Sequence, residues 1–576
     1  MSASRFLESW WRNAESETPL SCRDCAPGVD FRQLWGVRMK ACKALLCLAV
    51  IAFSLVAFAD DQHHHDAYDP NHLGTVSFPT SCAPKVQKDF EKGVALLHSF
   101  WYEEAEKAFR DVAKQDKKCA MANWGIAMSR WHQLWDPPSK QDIAVARQAL
   151  DEALDNPART ERERGFVDAM RAYYWRKEEV SPENRAEEYS DSMAKLHERF
   201  PDDREVTVFY ALSLLAAAPP GDRNVELRKK AGALLQPIFE ANPEHPGVAH
   251  YLIHSYDNPE LAELGLPAAR AYAKVAPSAP HALHMPSHIF SRVGMWQESI
   301  DSNLASIAAT RHSAAMHMGG GDHQMHAMDF LHYAYLQSGQ EKKAAELMAE
   351  LDTLPASDDE EMAYTRATMA VRYTLETRQW KEAAAVLVPA KVRPWLEGVV
   401  RGARAVGAAR SGNLEQAERE IVRLKQMESN ERQKNTERSA FIAEIVAVER
   451  EKAEAWLKHA RGQDAEAIAE MKQAAEADEK TGGEGVKAPT HESLADLLLE
   501  AKRPTEALRE YEKALQLAPN RFDGLFGAAQ AAEAAGKPDV AQKYYSALLK
   551  SAVGSERSEI AEARAAMSKM AAGGSR

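Results

Sequence analysis

The chain has 576 residues, 45% hydrophobic and 27% charged, which is ordinary for globular protein but too long for one compact core unless the fold is a repeat array. A formal net charge of -13 and a pI near 5.9, with no long Lys/Arg run to offset them, argue against a nucleic-acid partner. No Gly-x-Ser-x-Gly, phosphate-cradling glycine loop or dinucleotide fingerprint occurs, so no catalytic residues can be assigned from motifs.

The chain opens with a leader, residues 1–59. Its apolar run "ALLCLAVIAFSLVAFA" (44–59) is shorter than the roughly 20 residues a membrane-spanning helix needs. Lys40 and Lys43 precede it and Ala57-Phe58-Ala59 ends it, the pattern of a cleaved signal peptide. Met39 opens this unit so cleanly that residues 1–38 read as lying upstream of the true start. The expectation is a mature chain beginning near Asp60, periplasmic or secreted, with no stable membrane span after cleavage. An uncleaved anchor through 44–59 is the alternative. The tail that follows, 60–83, carries "QHHHDAYDPNH" (62–72), a tract that could scavenge metal or simply be disordered.

Export changes how the cysteines read. Cys22, Cys25, Cys42 and Cys47 precede the cleavage point, leaving Cys82 and Cys119. Two thiols in an oxidising compartment suggest one disulfide, with two separate buried thiols as the other reading.

From about residue 84 the pattern is helix after helix, with apolar residues at spacings of three and four and turns carrying Gly, Asn, Asp or Pro. "PTEALREYEKALQLAPN" and "KPDVAQKYYSALLKSA" repeat, with Ala507 and Ala541 34 residues apart. The same small-aromatic spacing recurs at Ala105 and Phe109, and turn-plus-helix units recur at "SGNLEQAEREI" and "SGQEKKAAELM". These segments resemble the tetratricopeptide repeat family, whose unit is a 34-residue helical hairpin. The resemblance implies an all-α fold: a superhelix of helical hairpins, a TPR-like solenoid, with a concave groove lined by each hairpin's first helix and usually occupied by a peptide or protein partner. In that frame Cys82 and Cys119 fall at the same end of neighbouring parallel helices, within disulfide reach.

The array divides into a His-rich region (84–355), degenerate repeats (356–477), a loop (478–490), a C-terminal repeat pair (491–556) and an end segment (557–576). "DNPELAELGLPAA" after Tyr256 and "ATRHSAAMHMGGGDHQ" (309–324) read as insertions. "VSFPTSCAPKVQKDFEKGVALLHSFWYEEA", "CAMANWGIAMS", "HPGVAHYLIHSYD" and "APHALHMPSHIFSRVGMW" also resemble a group of exported bacterial repeat proteins, a resemblance that implies architecture and export but no reaction.

Of the 20 histidines, 11 fall between 245 and 332. His250, His254 and Asp257 share one helix face, as do His281, His284 and His288, and His326 and Asp329. All lie in first-helix slots, so they are expected to converge in one groove. Pro286 disfavours helix before it, which places the helix start near Leu283 and His281 at the groove's edge. Three readings compete. Ahead is a polar groove that holds a peptide or protein partner without metal. Next is a site for zinc, copper or iron, in a metal-binding protein or metal-dependent enzyme, with His250, His254, Asp257, His284, His288, His326 and Asp329 as ligands. Third is a buried hydrogen-bond network that welds hairpins together. His98 and His132, set among aromatics, read as core residues.

Overall fold

Helix punctuation in the sequence is obeyed closely. Ser139 with Asp142, and Thr160 with Glu163, close reciprocal capping boxes that satisfy the first free N–H groups of helices Lys140–Asp155 and Glu161–Tyr174. Pro504 and Pro538 open helices Pro504–Leu517 and Pro538–Ser551, where a missing N–H is harmless. The computed structural model describes residues 72–573 apart from 135–136, 177–179, 220–224, 355–359 and 482–486. The segment read as a leader, with its four cysteines and expected cleavage point, and most of the His-rich tail lie outside the described residues.

Residues 69–576 form one unit. Among the described residues there is no β-strand, and the helices pack in sequence as antiparallel hairpins. The small-aromatic motif does what its composition suggests. The buried Phe109 ring fills the gap between helices, pressed against Gly93 and Gly125, neither of which has room for a Cβ. Tyr511 stands in the same relation to Gly527 near the C-terminus. Cys82 and Cys119 are joined in a disulfide with Cα atoms 4.8 Å apart. Closing a loop with a sequence separation of 37 stabilises by about 3–4 kcal/mol in the chain-entropy account.

Both segments read as insertions are largely helical. Ala262–Val275 is the second helix of the hairpin begun by Pro246–Tyr256, tolerating Pro267 in its first turns. Residues 309–315 extend helix Trp296–Ala315, and helix Gly321–Gln337 takes up the chain at 321. The helix around Pro286 also differs from expectation. It begins at Pro280, and Met285 keeps a helical conformation (φ -52°, ψ -35°) between segments Pro280–His284 and Pro286–Arg292. The steric bias against helix before proline is overridden by packing, and only the ladder hydrogen bond is lost.

The superhelix curls tightly enough for distant repeats to touch. The Trp101 indole donates to the Gly319 carbonyl at 2.9 Å, and Gly319 N–H donates to Glu104 at 3.0 Å. On the other side, the Trp296 indole donates to the Asn520 carbonyl at 2.8 Å. Gly294, at φ +69°, packs against Pro519 so closely that a side chain there would be strained and blocked. The first repeat and the C-terminal one thus meet the central hairpins at Gly319 and at Gly294 and Trp296, and His250, His254, His284 and His288, expected to line a groove, are buried.

Candidate metal centre

Helices Pro246–Tyr256, Pro280–His284 with Pro286–Arg292, and Gly321–Gln337 are the first helices of successive hairpins, and each turns histidines toward its neighbour. They gather into two adjoining groups of three. In the inner group the Nε2 of His250 lies 3.1 Å from those of both His254 and His281. One ring nitrogen from each of the three sits within 4.8 Å of the others. The outer group is His284, His288 and His326, with the same mutual limit of 4.8 Å. Here the Nε2 atoms of His284 and His288 stand 3.0 Å apart. The groups abut: ring centroids of His254 and His288 are 6.3 Å apart, and those of His281 and His284 6.0 Å.

The far side of several rings is already committed. His250 Nδ1–H donates to the His98 carbonyl at 2.6 Å. His288 Nδ1–H donates to Asp257 at 2.8 Å, and Arg292 donates to the other oxygen of that carboxylate at 2.7 Å. His284 Nδ1–H donates to the Asn303 side-chain oxygen at 2.6 Å. The Asn303 amide is oriented by its own N–H bond to the Ser299 carbonyl at 2.8 Å, so oxygen faces His284. These acceptors place the proton on Nδ1 and leave Nε2 as a lone pair.

Burial works against charge on His250, His254, His281, His284 and His326. Desolvation, reinforced by neighbouring imidazoles, pushes His250 and His326 down to about 3, and holds His254, His281 and His284 well below the ordinary imidazole range. Burial alone would raise Asp257, but Arg292 and His288 outweigh it and hold the carboxylate well below its usual range.

The placement of each expected residue is therefore mixed. His250, His254, His284, His288 and His326 come together, and Asp257 stands behind His288 rather than among the nitrogens. His281, expected at the edge, is central and fully buried. Asp329 turns away from His326 and pairs with Arg372 at 3.0 Å and Thr368 at 3.0 Å. Sequence reasoning missed Asn303, which carries no motif, and His323, whose ring lies 5.0 Å from His281. Burial pushes His323 down to about 4.

A small cleft of about 30 Å³ reaches His288 of the outer group, lined by Asp257, His288, Ser291, Arg292, Phe330 and Tyr333 on one side and Lys487, Leu517 and Ala518 on the other. That holds roughly two water molecules. None of the inner group's three histidines lines that cleft, all three are buried, and Phe100 covers them with ring centroids 4.3 to 5.7 Å away.

Three other clusters of this kind occur among the described residues and have partners already, one of them (Cys82, Asp116, Cys119) through the disulfide. Glu205 accepts from His98 at 3.1 Å and His245 at 2.9 Å, a buried network joining three hairpins. His98 is thus a core residue, as its aromatic surroundings suggest. Glu376 and Glu492 are held by Arg521, and Asp523 by Arg557.

Comparison with known proteins adds little. No protein-family model and no curated protein matches the chain. Among solved structures, a human IFIT1 dimer with m7Gppp-AAAA aligns at 13% identity and a TM-score of 0.34, over 80% of this chain and 95% of that one. A human IFIT1 dimer with PPP-AAAA aligns at 14% identity and a TM-score of 0.33, over 80% and 89%. At such scores the likeness carries no argument about this chain; its all-helical repeat fold rests on its own helices.

Proposed function

We propose that this protein binds transition-metal ions in the two adjoining three-histidine groups. One observation carries the reading: the Nε2 lone pairs of His284 and His288 face each other at 3.0 Å, with both Nδ1 protons already given to Asn303 and Asp257. Two acceptors at that distance repel unless a cation lies near both. A merely structural network would pair donors with acceptors, as Glu205 does with its two histidines. A proton shared between them would put charge on a buried pair, and burial holds His284 well below the ordinary imidazole range. Neutral imidazole held from behind by a carboxylate or carbonyl is the ordinary dress of a metal-ligating histidine. Zinc, copper and iron all accept such ligands.

Burial also argues against these histidines as the lining of a peptide groove. A peptide or protein partner would dock elsewhere on the array. With a leader that reads as a signal peptide, the reading is of an exported metal-binding protein.

The test is elemental analysis of protein purified without a His tag. Near-stoichiometric zinc, copper or iron is expected, and a His284→Ala, His288→Ala double variant with an unchanged circular dichroism spectrum should lose at least half of it. Protein that stays free of metal after incubation with each ion, with its fold intact, would overturn the reading.

A further inference from the structure

The two histidine groups differ in what they can offer an ion, and the difference selects a metal. Resting on the metal-binding reading above, we infer that the inner group, His250, His254 and His281, is a cuprous site that rejects zinc, whereas the outer group takes either ion.

Coordination number is the first ground. The inner group supplies three nitrogens, and each of its residues is at most 4% exposed. Phe100 lies against all three rings and Tyr272 stacks on His250 with centroids 5.1 Å apart. Neither a carboxylate nor a sulfur belongs to the set, and the cleft that reaches His288 is not lined by any of the three. Zinc in proteins is almost always four-coordinate, and iron asks for more. Cuprous ion, with a filled d shell and a single charge, is content with two or three nitrogens. His288 of the outer group lines the cleft, from which a water or small anion could complete a zinc shell.

Charge is the second ground. The six ligands are all imidazoles, none of them a carboxylate or thiolate, and Asp257 behind His288 is already paired with Arg292. Two divalent ions so close would repel about four times as strongly as two monovalent ones, and the buried Asp257 carboxylate is already tied to Arg292. Two cuprous ions, or one cuprous ion and one zinc carrying hydroxide from the cleft, keep that charge low.

The experiment is an anaerobic titration of the intact protein with cuprous ion against a cuprous chelator, and separately with zinc against a zinc chelator. Two tight equivalents of cuprous ion and one of zinc are expected. His254→Gln with His281→Gln should lose one cuprous equivalent and keep the zinc. His284→Gln with His288→Gln should lose the zinc and keep one cuprous equivalent. The site each double variant retains reports that it is folded. X-ray absorption of the unsubstituted, copper-loaded protein gives a second measurement, with a nitrogen-only shell averaging three ligands or slightly more expected. Two tight zinc equivalents, or a copper shell of four at both sites, would overturn the cuprous assignment while leaving metal binding standing. Binding of neither ion would overturn both.

Discussion

Asn303 shows how much a single side chain outside any motif can decide. Its amide oxygen receives the His284 proton and its amide N–H is tied to the Ser299 carbonyl, so it sets which His284 nitrogen is bare. Replacing it with Leu removes that anchor and lets the ring choose its other tautomer. Supporting residues of this kind are worth about 10–100-fold in metal affinity. Asn303→Leu is therefore expected to weaken binding at the outer group by that factor, read by chelator competition, with the helical dichroism signal preserved. Nothing in the sequence around Asn303 signals this role, because the residue acts from the second helix of a hairpin whose first helix carries the histidines. Asp329 is the converse case. It shares a helix face with His326, but Arg372 on the next hairpin is the stronger partner and draws the carboxylate away.

Between elements, the C-terminal repeats hold together partly through His491, whose ring bridges two helices besides its own. Its Nε2 meets Glu479 at 2.7 Å and its Nδ1 meets Glu510 at 2.6 Å. Burial would lower the pKa of this ring, but the hydrogen bonds and charges of Glu510 and Glu479 outweigh it and raise it. A raised folded value means that the clamp stabilises fully below the unfolded histidine pKa, near 6.5, and that this contribution fades as pH rises through the folded value. His491→Gln should lower stability by about 1 kcal/mol near pH 6, since Glu479 is partly exposed, and by less at pH 9. Thermal unfolding midpoints at both pH values check it; an equal or larger loss at pH 9 would contradict the assignment. At this scale the helical periods and the Ala105–Phe109 spacing were legible because hairpin packing is local. The start of the Pro280–His284 helix was not, because a neighbouring hairpin overrides the bias of the residue before Pro286.

Across the whole repeat unit, Arg521 is the residue on which distant hairpins converge. Fully buried, it donates to Glu376 at 2.8 Å, to Glu492 at 2.9 Å and to the Tyr333 hydroxyl at 2.8 Å, joining four hairpins. Burial pushes Glu492 up to about 7 even with this guanidinium beside it. Arg521→Met would strand two buried carboxylates, and removing one partner of a buried ion pair costs about 3–5 kcal/mol. The expected result is a lower denaturant midpoint and loss of the packing between Trp296 and Asn520, seen as a change in tryptophan fluorescence. A midpoint within error of the parent would show that the network contributes nothing.

Helix periods, turn residues, the 34-residue repeat and the pairing of Cys82 with Cys119 were all readable from the chain, because each depends on residues near in sequence or on the step between adjacent hairpins. The same local logic placed His250, His254, His284, His288 and His326 on facing first helices. Only the tertiary structure decided that His250, His254, His284 and His288 are buried while His326 is half-buried, that one group is covered by Phe100 and the other has His288 on a cleft, and that His281 joins them while Asp329 pairs with Arg372. Those outcomes depend on how far the superhelix curls, which brings Trp101 onto Gly319 and Asn520 onto Trp296. Curl is the accumulated sum of small rotations between successive hairpins. No single motif encodes it, so it can be read only once every hairpin is in place.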